Sequence, residues 1–297
     1  MDNQEVFNQD LSEKAGPGAV FVIKLLFREP VELPDRESMT AVMRRRVGNV
    51  ECFWHNEKGA GFAAKDYLAQ FKDGSMPPQL MVMNCTDFDG TEIEAFERSQ
   101  MWDCINDKDR ILDECKYMVG ATDMMAAVLE AKERATLDMD FLEALVELFP
   151  TCEAVLIHDS GKLLLADAIR NHSVPREHRF VKFAVNARFF NIQGTEDMMV
   201  DTLGMGTLYL PDLQYHFHGM DPNWVVQHAY TIADYILSND NPIKSGDSID
   251  GIINGQFTQE VMWRCHYEGA LIQPVREVID IYMNEYASGK RENQESE

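Results

Sequence analysis

An α+β fold, with mainly antiparallel sheets and helices packed on one face, is what this sequence predicts. Three observations carry that expectation. Apolar residues at period two alternate along the chain with amphipathic helical stretches. The order strand, helix, strand, strand occurs twice. The connections include the tight-turn strings Lys58-Gly59-Ala60-Gly61 and Asp159-Ser160-Gly161, of the kind that join antiparallel neighbours. Ferredoxin-like units in two similar halves are the form of α+β fold that this order suggests.

The elements follow from local chemistry. Val20 to Phe27 reads as a strand with Phe21, Ile23, Leu25 and Phe27 on one face. Pro34 and Asp35 open a helix, Asp35 as its N-cap, and Met39, Val42, Met43 and Val47 form the buried stripe before Gly48 ends it. Strands are expected over Glu51 to Trp54, Phe62 to Phe71 and Gln79 to Asn84. In the last of these the run Leu80-Met81-Val82-Met83 suits a strand covered on both faces. Thr91 with Glu94 reads as a capping box for a helix that turns Ile93 and Phe96 inward. The order then repeats. Lys116 to Ala121 is a strand, a helix runs to Phe149, and Ala154 to Ile157 with Leu163 to Leu165 make a hairpin. Further on, strands are expected over Phe180 to Phe190 and Trp263 to Ile272, and strands or extended turns over Met198 to Thr202 and Leu208 to Phe217. Asp221 and Pro222 start a helix, and a last helix opens at Pro274 with Val275, Val278, Ile279, Tyr282, Met283 and Tyr286 on one stripe. The resulting division is a flexible tail (1–17), an N-terminal α+β subdomain (18–112), a C-terminal α+β subdomain (113–287) and a second flexible tail (288–297).

Composition limits the function. Fifty acidic residues against 27 basic ones give a formal net charge of −23. That sign repels phosphate backbones, so nucleic acid is not an expected partner, and a basic protein is. The one dense basic run, Arg44-Arg45-Arg46, ends a helix, where cations favour the dipole; it reads as a solvated helix end. No stretch reaches the ~20 apolar residues of a membrane span, and no apolar run follows a basic start, so no signal peptide and no membrane association are expected. The six cysteines have no paired spacing and read as free, reduced thiols, which suits a cytoplasmic location.

The third section carries a resemblance. Asp201-Thr202-Leu203-Gly204, Leu210-Pro211-Asp212-Leu213-Gln214, Asp221-Pro222, Gly246-Asp247, Pro274 and Arg276-Glu277 together resemble the bacterial family known only as domain of unknown function 4261, over roughly residues 180–285. Tyr209 stands where members of that family often carry glycine, just before Leu-Pro-Asp. The resemblance implies a bacterial intracellular protein and brings no catalytic residue with it.

Candidate site residues come from alternation. In one strand Asp212, Gln214, His216 and His218 share a face, while Leu213, Tyr215 and Phe217 take the other. The expectation is an exposed polar sheet face. Arg264, His266 and Glu268 alternate in the same way out of Trp263, Cys265 and Tyr267. If their strand neighbours the first, the two sets form one binding patch, which Arg276 can join. Asp201, Asp212 and Asp247 are paired-carboxylate candidates only if folding gathers them, and Arg276 can pair with such a group. His228 lies on a buried helical stripe and reads as a hydrogen-bonded core histidine. His158-Asp159-Ser160 holds the residue types of a serine triad, but neighbours in a tight turn diverge.

No cofactor is expected. Gly204-Met205-Gly206 is too short for a dinucleotide fingerprint, and the stretch from Asp247 to Gly251 lacks calcium-loop spacing. The leading expectation is therefore a non-catalytic binding or protein-interaction module, of which an immunity protein against a basic toxin is one specific form. The alternatives are a metal-dependent hydrolase using His216, His218 and Asp212, and a small-molecule sensor with a pocket between the halves.

Overall fold

The computed structural model describes residues 20–289, so the expected flexible tails lie outside the described residues except for Ser288 and Gly289. The chain divides into two compact units. Of the described residues, the first takes 20–186 together with Gly206–Leu210; the second takes Ala187–Met205 and 211–289.

The first unit is built from β1 (Val22–Phe27), α1 (Arg36–Arg46), β2 (Val50–Asn56), β3 (Gly59–Ala64), β4 (Ala69–Phe71), β5 (Gly74–Met76), β6 (Gln79–Asp87), α2 (Ala95–Ser99), α3 (Lys108–Glu114), β7 (Tyr117–Met124), α4 (Ala131–Leu148), β8 (Ala154–Ile157), β9 (Lys162–Leu165), α5 (Ala166–Arg170) and α6 (Arg179–Ala184). Seven of the strands form one sheet in the order β2-β3-β6-β7-β1-β8-β9. Its pairs are antiparallel. The sheet thus takes strands from both sides of residue 112. It does not confirm ferredoxin-like units, because β6 and β7 stand between the hairpin strand β3 and β1.

Period two explains how both faces of this sheet are covered. Phe27 points to the face where the end of α4 brings Phe149, with ring centroids 5.8 Å apart. Its neighbour Leu26 points the other way, into a cluster with Ile111 and Leu112 of α3, Met101 and Phe88. The long helices α1 and α4 lie together, tied by Arg46 to Glu143 (3.0 Å) and Glu147 (2.8 Å) and by Arg45 to Glu147. The short α3 covers the opposite face, so the helix layer is not confined to one side. The basic helix end is therefore ion-paired rather than merely solvated.

Several local expectations hold. Asp35 caps α1, accepting from the Glu37 and Ser38 amides at 2.9 Å. The Asp159-Ser160-Gly161 turn joins β8 to β9, with Gly161 at φ +65°. Others do not. Met83 of β6 is exposed, so that strand alternates instead of being covered on both faces. The expected capping box does not form: Asp89 caps a 3-10 turn over Gly90–Glu92, accepting from the Thr91 amide at 2.9 Å, and the N-cap of α2 is Glu94, without a side-chain cap bond. Val181 and Phe183 belong to α6, a buried helical turn whose tertiary packing outweighs the β-type alternation, and the strand starts only at Asn186.

The second unit contains β10 (Asn186–Asn191), β11 (Met198–Leu203), β12 (Asp212–Phe217), α7 (Pro222–Ser238), β13 (Ser248–Ile253), β14 (Gln256–Gly269) and β15 (Glu277–Tyr282). Its sheet runs β10-β11-β12-β15-β14-β13, with β12 and β15 parallel. Asp221 caps α7 by accepting from the Asn223 amide, and Val225, Ala229, Ile232, Ala233 and Ile236 are buried. The expected last helix is instead β15. Its core Val278-Ile279-Asp280-Ile281 is buried without a break because the strand is central and covered on both faces. A continuous apolar run satisfies helical spacing by accident, and the β-branched Val278, Ile279 and Ile281 favour a strand.

Both units are mixed helix and mainly antiparallel sheet, the α+β class. No helix among the described residues is long and apolar enough to cross a membrane. All six cysteines are free. Burial pushes the Cys104 and Cys115 thiols up to about 11 and those of Cys152 and Cys265 up to about 12.

Candidate functional site

Two arrangements stand out, one in each unit. The first grows from the register of the six-stranded sheet. Asp201 of β11 faces Gln214 of β12, Gln214 faces Asp280 of β15, and Asp280 faces His266 of β14. Four polar residues thus form one row across four strands. The opposite face carries Leu213, Tyr215, Phe217, Cys265 and Ile279, all buried.

The strand face expected to be exposed is enclosed at its centre. Asp212 and Gln214 are 1% and 0% exposed, and His216 is 7% exposed. His218 lies just past β12, exposed, with its Nδ1 3.9 Å from Asp197. Arg264 and His266 are exposed, and Glu268 is half-buried. The strand of Arg264, His266 and Glu268 does not neighbour β12, because β15 lies between them. The two sets nevertheless meet through side chains, since Gln214 Nε2 donates to Glu268 Oε1 at 2.7 Å.

Buried charge on this face is paired. Arg188 grips Asp201 with two bonds, Nε to Oδ1 at 2.8 Å and Nη2 to Oδ2 at 2.5 Å. Arg276 Nη2 donates to Asp201 Oδ2 at 2.7 Å, and its Nε donates to Asp212 Oδ2 at 3.3 Å. Asp212 also accepts from the Thr202 hydroxyl (3.0 Å) and the Met205 amide (3.2 Å). Burial raises the Asp212 carboxyl above its usual range, and Arg276 opposes that shift. So Asp201 and Asp212 are gathered through Arg276, as their spacing allowed. Asp247 is not; it accepts from the Lys244 amide at an exposed turn.

His216, Asp280 and Glu268 form the adjoining group. His216 Nε2 lies 3.0 Å from Asp280 Oδ1. One donor atom from each of the three residues falls within 4.8 Å of the others, which makes this the group among the described residues able to hold a metal ion. It replaces the set His216, His218 and Asp212. The ring of His216 has a tight seat, since a Cβ on Gly289 (φ +76°) would stand 2.8 Å from Nδ1. Arg188 and Asp280 were not singled out in the sequence. Asp280 did leave a signal, a lone acid inside the apolar run Val278 to Ile281.

His228 behaves as a core histidine. Its Nε2 donates to the Asp250 carbonyl (2.8 Å), so its Nδ1 accepts from the Tyr215 hydroxyl (2.9 Å). Burial lowers its pKa to about 4. In the first unit Asp123, Arg134 and Asp138 form another closed cluster, with Arg134 Nε donating to Asp123 at 2.8 Å. Burial, and then the Asp123 charge, hold the Asp138 carboxyl well above its usual range. Each of these side chains is 0–1% exposed, which leaves them no contact with a ligand in solution.

The second arrangement is a cavity of about 350 Å³ in the first unit. Asp87, Asp89, Glu92, Glu94 and Glu97 line it, with Phe88, Met101, Met118 and Leu156 as apolar wall and Lys24 and His158 as its basic groups. All five carboxylates are on exposed residues. Their signal in the sequence was five acids within one short stretch that was read only as a helix start.

No curated protein and no solved structure matches the chain. The family model described as Domain of unknown function (DUF4261) matches residues 201–282, from Asp201 in β11 to the end of β15, so the C-terminal part of this chain, including Asp201, Asp212, His216, Glu268, Arg276 and Asp280, is a match to that family.

Proposed function

We propose that this protein is a non-catalytic binding module for a basic protein partner, engaged through the acidic cavity of the first unit. The observation that carries the reading is the convergence of Asp87, Asp89, Glu92, Glu94 and Glu97 on one cavity with an apolar wall. Exposed carboxylates around a concave surface attract a lysine- or arginine-rich segment and steer its approach, while the apolar wall accepts the aliphatic stems of those side chains. The net charge of −23 adds a long-range field of the same sign. The polar face of the second unit supports the non-catalytic half of the reading, because Asp201 and Asp212 are engaged by guanidinium, hydroxyl and amide donors.

Calorimetric titration with a short oligolysine peptide tests this. Binding is expected in dilute buffer and should weaken as salt shortens the Debye length to about 8 Å at physiological ionic strength. The triple variant Glu92→Lys, Glu94→Lys, Glu97→Lys, all at exposed positions, should bind at least ~10-fold more weakly, a loss of ~1.4 kcal/mol. Equal binding by the variant would put the recognition elsewhere and refute this assignment.

A further inference from the structure

We propose that His216, Asp280 and Glu268 form a binding site for a divalent transition-metal ion of the zinc or manganese class, built on three neighbouring strands of the second unit.

The geometry that points there begins with His216. Its side chain is 9% exposed, and its Nε2 makes no hydrogen bond. Yet that nitrogen stands 3.0 Å from Asp280 Oδ1. A ring nitrogen at that distance without N–H···O alignment is misplaced as a donor. It is well placed as a ligand. Neighbouring donors each about 2.1 Å from a shared ion stand about 3.0–3.5 Å apart, the separation seen here. Glu268 supplies the third donor, within 4.8 Å of the other two, and a small shift of this half-buried side chain brings it to coordination distance.

The surroundings fit the same purpose. Gln214 Nε2 donates to Glu268 Oε1 at 2.7 Å, and Gln214 Oε1 accepts from the Leu271 amide at 2.8 Å, so the carboxylate is held by a group that is itself held. Hydrogen bonds of that kind orient ligating carboxylates in metal sites. Gly289 leaves room for the imidazole, and the Ser288 amide donates to the His216 carbonyl at 3.0 Å, which fixes the backbone around it. Asp280 is fully buried, and Glu268, half-buried, is the more accessible of the two carboxylates. One nitrogen and two carboxylate oxygens select transition metals over calcium, which prefers six to eight oxygens.

The test uses the full chain, freed of metal with chelator and then dialysed against zinc or manganese chloride, with bound metal measured by elemental analysis. One ion per chain is expected for the wild type. Glu268→Gln keeps the bond from Gln214 and removes the charged donor; it should lower the affinity at least ~10-fold while leaving the melting temperature of the metal-free protein near that of wild type. His218→Ala, outside the group, should bind as wild type does. Substoichiometric uptake by the wild type, unchanged affinity in Glu268→Gln, or loss of the ion in His218→Ala would each overturn the proposal. Oligolysine binding measured on the same Glu268→Gln protein should be unchanged, so the metal site and the acidic cavity stand or fall separately.

Discussion

Replacing Asp201 by asparagine isolates what the buried ion pairs contribute. Asp201 is fully buried and accepts two bonds from Arg188 and one from Arg276, whose side chains are 4% and 13% exposed. Asparagine has the same shape but no charge, and it presents an amide N–H₂ where one guanidinium expects an acceptor. Arg188 is then left as a buried cation with the Gln273 carbonyl (2.7 Å) as a neutral partner, while Arg276 keeps Asp212. Removing one partner of a buried pair costs about 3–5 kcal/mol, mostly the penalty of the orphaned charge. With a urea m-value of ~2 kcal/mol/M, the midpoint of the second unit should fall by roughly 2 M. Trp263, fully buried on the other face of the same sheet, reports that transition by fluorescence. Adding Arg188→Met removes the orphan and should recover part of the loss. A midpoint shift below about 0.3 M for Asp201→Asn, or a double variant weaker than the sum of its parts, would refute the orphaned-charge reasoning.

Two further outcomes follow from local geometry. His228 has a pKa of about 4 in the folded protein against 6.5 in the unfolded chain, so between those values the unfolded state binds the extra proton and stability falls as pH falls. Denaturation at pH 7 and pH 5 should differ by about 2 kcal/mol from this group, and His228→Gln should flatten that slope whatever its own baseline stability. Tyr209, exposed, sits at φ +56°, in the left-handed region. Tyr209→Gly should raise stability by about 0.5–1 kcal/mol, and a lowered melting temperature would show that the tyrosine ring does more than fill the turn.

What the sequence made legible was whatever is local. Asp35 and Asp221 sit at helix starts, and their carboxylates cap the amides two or three residues on, so α1 and α7 were readable from a few neighbouring residues. The alternation of Asp212, Gln214 and His216 against Leu213, Tyr215 and Phe217 was likewise a property of one strand. What failed was non-local. Nothing in the run from Val275 to Tyr286 says that β15 is inserted in parallel beside β12, and without that neighbour the spacing of its apolar residues also satisfies a helix. The same insertion decides the site. It places Asp280 beside His216 and Glu268 and separates His216 from the exposed His218, so the metal-ligand set changed although the strand carrying His216 was read correctly. Arg188 was hidden for a related reason, because β10 starts only after α6 and its residues were read as the end of a longer strand.

Charge shows the same division between what composition tells and what folding decides. The buried ionisable side chains of fixed charge type are Asp123, Asp138, Asp140, Asp201, Asp212 and Asp280 against Arg134, Lys162, Arg179 and Arg188. Among the described residues, six acids and four bases leave at most two of the 23 net negative charges enclosed. Almost all the acidity therefore belongs to the remaining residues, and the exposed carboxylates around the first unit's cavity are where it is concentrated on an apolar wall. The interior uses its aspartates differently: Asp123, Asp140, Asp201 and Asp212 are matched to arginine or backbone donors at hydrogen-bond distance, and burial raises the carboxyl of Asp138. A partner that reads charge meets only the outer set. A variant that alters the inner set, such as Asp201→Asn, should change stability and leave oligolysine affinity alone, whereas Glu92→Lys, Glu94→Lys, Glu97→Lys should do the reverse. A stability loss in the exposed triple variant as large as that of Asp201→Asn would mean that the two populations of carboxylates are not separate in function.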